Sequence, residues 1–260
     1  MELNKKEIKF HFSKEDRKKI KSEQKEYLAH IEEVYSILNK RCLNQISVPV
    51  TGTHKEWIKS RVYLHSNASV MRLLYLTESF CDASKKFNSV SAASLLKSMA
   101  EIPLHLGFLL FIISENHDFE KIRDLLGKLA FGNRDEKTNL TSTSKISGKE
   151  LYQKTDDVLK KMSNIESWNI FETIYKETNA FGHHNHEGRD MLCGLMNHET
   201  GNWSVKDRKE IFQFYSNTIF QFFLYADTIL TMSNIILNHI DNHLNSLPIY
   251  LNANNIIKDK

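Results

Sequence analysis

Three residues able to do acid–base or anion chemistry recur every four positions: Lys97, Glu101 and His105. On a helix that spacing places them on one line. The other faces of the same stretch are apolar, and the run after Glu101 is strongly so. A charge is expensive to bury unless it is paired. Two readings fit: the line is the water-facing side of an amphipathic helix, or it lines a cleft as a paired polar cluster.

A second concentration lies in residues 179–190, NAFGHHNHEGRD. His183, His184, His186, Glu187 and Arg189 fall close together, flanked by Gly182 and Gly188, which permit a tight turn. Histidine titrates near neutrality and shuttles protons, while an arginine beside it stabilises a phosphate or an oxyanion. On this reading His183, His186, Arg189 and Glu101 are the catalytic candidates, and Lys97, Asn179 and His184 are substrate-binding. A bundle metal site drawing on Glu101 is the competing chemistry. The chain lacks doubled Glu-x-x-His helices, and HHNHE has no established ligand spacing, so no metal or cofactor is expected. A polar loop with one packing histidine is the plainest alternative. Phosphate-binding glycine loops, GxSxG and HExxH are all missing from the sequence.

These residues need elements to hold them. Among 260 residues there are 9 Gly and 3 Pro, so few turns are written in. That pattern favours long helices over a many-stranded sandwich or barrel. The fold class expected is all-α: an antiparallel helical bundle with an N-terminal helical arm and one long C-terminal helix.

The arm and its linker are assigned to residues 1–54, the bundle core to 55–245 and a tail to 246–260. Ser13-Lys-Glu-Asp16 resembles a capping box and should start a helix running to about Arg41. Its Tyr27, Ile31, Val34 and Leu38 share a face, either docked on the body of the chain or forming a short dimer seam. A helix over about 55–87 is expected to break near Ser66 and Asn67. Asn88 restarts the chain into an apolar helix kinked at Pro103. Further helices should cover about 118–131, 147–162 (capped by Ser147) and 166–180, with a Ser/Thr-rich loop at 132–147 between the first two. Ser204 should cap the last helix, which runs to about His243. Trp168, Trp203 and the aromatic set around Phe212 and Phe223 read as packing residues.

The net charge is +3, too small for a bulk nucleic-acid-type surface. Cys42, Cys81 and Cys193 show no CxxC, which fits free thiols in a reducing compartment. The charged start of the chain is expected to carry no secretion signal. Residues 102–113 are too short to span a bilayer, and residues 211–237 are punctuated by Asp227 and amides. No membrane span and a cytoplasmic location are expected.

Lys97-Ser-Met-Ala-Glu101 with its apolar run resembles an uncharacterised family of helical prokaryotic proteins that carry an Arg-Ser-Leu-x-Glu box. Asn179-Ala-Phe-Gly-His183 resembles that family's distal Ser/Asn-x-x-x-His element. The likeness covers about half the chain and departs at Lys97, where the family has Arg. More loosely, the architecture is similar to HEPN-like helical bundles of toxin–antitoxin and phage-defence systems. That resemblance implies a metal-independent ribonuclease, an RNA partner, and a homodimer or a complex with a defence-system partner. The pattern there is Arg, four to six residues, then His. Arg61 and His65 have three residues between them and Arg189 and His198 have eight, while His183 precedes Arg189. A non-enzymatic binding or assembly protein with a structural polar cluster is the alternative.

Overall fold

The computed structural model describes residues 8–20, 22–43, 45–47, 52–116, 118–131, 146–163, 172–173, 176, 194–197, 199–214 and 222–247. Within them the chain is an all-α bundle with a single two-stranded hairpin. The helices are α1 (Lys14–Lys19), α2 (Ser22–Arg41), α3 (His54–Lys85), α4 (Ser89–Glu115), α5 (Phe119–Phe131), α6 (Gly148–Ser163), α7 (Arg208–Phe214) and α8 (Phe222–Asn245). Strands β1 (Gly194–Asn197) and β2 (Asn202–Val205) pair antiparallel.

Short polar side chains decide where the helices begin, because each start leaves backbone donors unsatisfied. Ser13 accepts from the Asp16 amide and Asn88 from the Ser91 amide. Ser147 accepts from the Glu150 amide. Thr53 and Glu56 form a reciprocal capping box at the start of α3.

Three boundaries differ from expectation. The first helix is split: α1 stops at Lys19, Ile20 is extended, and α2 resumes at Ser22. No break occurs at Ser66 or Asn67. There the Ser66 hydroxyl donates back to the Val62 carbonyl and the Asn67 amide ties down Leu43, so both side chains serve the helix interior or its neighbour. Helix α4 keeps the extent expected of it, running from Ser89 through Pro103 to Glu115. Ser204 lies in β2, and the cap of α7 is Asp207, which accepts from the Lys209 and Glu210 amides. The last helix is described in two pieces, α7 and α8. The helix expected over 166–180 lies almost wholly outside the described residues, as do most of the 132–147 loop and Trp168.

Directions follow from cross-helix contacts. Tyr35 donates to Glu78, and Leu43 meets Asn67, so α2 and α3 run antiparallel. Antiparallel α3 and α4 are joined by a turn at Lys86–Asn88. Phe87 adopts a left-handed φ of 53° there, a conformation that costs a non-glycine residue about 1–2 kcal/mol. Its ring lies against Phe12 and Phe212, which offsets that cost with burial. Helices α2 and α8 run parallel and in register: His30 meets Asp227, and Arg41 meets Asn238 and Asp241. Helix α6 runs the same way as α4, with Thr155 against Leu104 and Lys161 paired to Glu115.

One apolar core extends from the first described residues to the last. Ile8, Phe10 and Phe12 alternate inward from an extended segment. Phe10, Phe80 and Phe223 meet edge to face at 5.8–6.2 Å, a geometry worth about 0.5–1.5 kcal/mol per pair beyond burial. Ile31 and Leu38 are fully enclosed within the chain. Their stripe is docked on the body of the protein and is not open as a dimer seam. By length and composition α4 would reach across a bilayer, and 72% of its most apolar window is buried inside the bundle.

Candidate functional site

The antiparallel register of α3 and α4 brings the Lys97–Glu101–His105 line against a second polar line. The Arg72 guanidinium of α3 lies 3.8 Å from the Glu101 carboxylate of α4. Arg61, His65 and Arg72 share the α4-facing side of α3, at helical spacings of four and seven. The line therefore neither faces open water nor sinks into the core. Lys97, Glu101, His105 and His65 are all half-buried, and Arg72 is exposed.

This position tunes the imidazoles. Burial lowers the pKa of His65 below the usual histidine range, and the charges of Arg61 and His105 add to the effect. Burial also lowers His105; Glu101 opposes this and Arg72 reinforces it. Both rings are therefore neutral at pH 7, because the desolvation and nearby cations that penalise imidazolium outweigh one carboxylate. A neutral imidazole accepts a proton at its one unprotonated ring nitrogen, which is what a general base needs. Beside the two rings, Arg72 and Lys97 present cations to any anion entering the seam.

Glu101 and Lys97 thus belong to a shared polar cluster, with α3 as their neighbour. Asn179, His183, His184, His186 and Arg189 lie outside the described residues. Arg72 and the facing position of His65 were not anticipated. Helical spacing places 61, 65 and 72 on one face, but which helix that face meets is a tertiary fact. Among the described residues no group of three or more His, Cys, Asp and Glu side chains is placed to hold a metal ion.

Two other ionisable places are built differently. Between α2 and α8, His30 Nδ1 lies 2.5 Å from Asp227 Oδ1. Burial raises the Asp227 carboxyl and the His30 contact pulls it back. On α6, Asp156 is 5% exposed, and its Oδ1 meets no hydrogen-bond partner among the described residues. Burial pushes that carboxyl up to about 6, against the opposing charge of Lys160. Next to it, the fully buried Thr155 donates to the Leu104 carbonyl at 3.0 Å. Gly107 makes this approach possible: a Cβ there would sit 2.2 Å from Thr155 Cγ2.

Of the aromatic residues expected to pack, Phe212, Phe222 and Phe223 are buried. Trp203 is 43% exposed beside Val205 at 73%, on a strand whose four residues are all exposed. Comparison with family models, curated proteins and solved structures finds no match to this chain.

Proposed function

We propose that this chain is a metal-independent ribonuclease of the toxin or phage-defence kind, HEPN-like in character, that works at the α3–α4 seam. The observation that carries the reading is the pair His65 and His105 at one seam next to Arg72, Lys97 and Glu101. Both have lowered pKa values, so that one ring is neutral and the other protonated on the acid side of neutrality. One imidazole takes the proton of the ribose 2′-hydroxyl as its oxygen attacks phosphorus. The P–O5′ bond breaks, and the other ring, as imidazolium, gives its proton to the leaving oxygen. The products are a 2′,3′-cyclic phosphate and a free 5′-hydroxyl. Arg72 and Lys97 stabilise the charge that develops on the phosphorane oxygens, and Glu101 orients Arg72.

The test is RNA incubated in chelator with purified wild type, His65→Ala, His105→Ala and His183→Ala, each checked for native helicity. Loss of cleavage in either seam variant supports the seam. Loss in His183→Ala alone moves the chemistry to the His-rich loop, and intact RNA with wild type removes the activity. Induced expression in a bacterial host, with growth and total RNA followed, tests the toxin role.

A second reading is a binding or assembly subunit, working as a homodimer or with a defence-system partner. The exposed Trp203 and Val205 favour it, since large apolar side chains left outward often mark contact surfaces. Sedimentation of wild type against Trp203→Ser separates the two: a loss of mass in the variant with cleavage unchanged assigns the hairpin to assembly.

A further inference from the structure

We infer that the seam takes its RNA as a single strand, with Tyr75 stacking on a base beside the phosphate held by Arg72; this rests on the ribonuclease reading above. The outward face of α3 carries Leu64, Ala68, Arg72 and Tyr75 at helical spacing. Leu64 and Tyr75 are the exposed large apolar side chains of that helix, at 40% and 57%. Tyr75 follows Arg72 by three positions, so the two are neighbours on the helix surface. Arg72 borders the seam, and inward of it run Arg61, His65 and the α4 residues Lys97, Glu101 and His105. Three cations stand against one carboxylate there. The Arg61–Arg72 stretch covers about 16 Å of helix at ~1.5 Å per residue.

A charged strip with an aromatic ring on its edge is what an unpaired strand recognises. Cations follow the backbone, and a base turns out to stack on the ring. A duplex keeps both faces of every internal base stacked inside the helix and offers Tyr75 none. The aromatic position therefore discriminates strandedness, while Arg72 and Lys97 attract either form through phosphate.

The experiment is fluorescence anisotropy in chelator with a labelled 2′-O-methyl RNA oligonucleotide, alone and annealed to its complement. Without a free 2′-hydroxyl the strand cannot be cut by the proposed route, so binding is read independently of cleavage. The expected result is tighter binding of the single strand by about tenfold or more. Tyr75→Ala should lose that preference and Tyr75→Phe should keep it. Arg72→Ala should weaken both forms and flatten the salt dependence. Tyr75 is exposed, so helicity should survive in the variants, and circular dichroism checks it. Equal affinity for both forms, an unaffected Tyr75→Ala, or no binding by wild type overturns the inference. Single-strand binding without cleavage of unmodified RNA overturns only the ribonuclease reading.

Discussion

The two sides of α4 treat ionisable groups in opposite ways. Toward α3, Glu101 and His105 are half-buried, and Glu101 has Arg72 within ion-pair distance. Toward α6, the contact is close: Gly107 admits Thr155, and next to Thr155 on α6 the buried Asp156 has its carboxyl raised to about 6. Both sides contain carboxylates. The difference is what surrounds them, because a buried charge is tolerated through pairing and is otherwise neutralised. The α3 side keeps two imidazoles of lowered pKa partly open to solvent; α6 holds one buried acid beside a packing contact.

The sharpest way to break this contrast is at the histidines. His105→Ala should reduce RNA cleavage by about 100-fold or more with little change in helicity; retained cleavage would sink the seam as the active site. The pH profile refines the same point. Cleavage needs one neutral and one protonated imidazole, and both pKa values lie below the ordinary histidine value. The optimum should therefore fall on the acid side of about 6.5. An optimum at pH 8 would assign the proton transfers elsewhere.

On the α6 side the expected effects concern stability. Gly107→Ala should destabilise the fold by about 2–3 kcal/mol in denaturant titration, because overpacking against Thr155 outweighs the better helix propensity of alanine. Asp156→Asn should do the reverse. The folded carboxyl is raised to about 6 from an ordinary 3.8, so the folded state binds its proton more tightly. The stability linked to that proton is complete below about pH 4 and is lost as pH rises through about 6. The asparagine variant should match wild type at pH 4 and exceed it at pH 7.5 by up to about 2 kcal/mol. Equal melting temperatures at both pH values would show that Asp156 finds a charged partner.

The smallest effect belongs to the ion pair itself. Arg72 and Glu101 are both more than a third exposed at 3.8 Å, so Glu101→Gln should cost under about 1 kcal/mol of stability. Its effect on cleavage, through the position of Arg72, should be the larger of the two. A stability loss of several kcal/mol would make the pair a structural clamp.

Much of the fold could be read from short-range signals. Ser13, Asn88 and Ser147 cap the helices assigned to them, since a cap needs only its own next few residues. The burial of Ile31, Val34 and Leu38 followed from their spacing. Ser204 was misplaced because a hydroxyl followed by an acid reads as a cap wherever it falls. Here the β1–β2 pairing claims that residue and passes the cap to Asp207. The break expected at Ser66 and Asn67 failed for a related reason: their polar groups bond to the helix backbone and to Leu43, contacts that propensity does not encode.

The candidate site divides the same way. The Lys97–Glu101–His105 line is a property of one helix, and periodicity alone is enough to find it. Its partners on α3 come from the register of an antiparallel pair, which the turn at Phe87 and the packing of Phe10, Phe80 and Phe223 hold in place. A sequence determines which residues share a helix face, because that depends on 3.6 residues per turn. Which faces meet depends on how the whole core closes, and only the tertiary structure placed Arg72 and His65 beside Glu101 and His105.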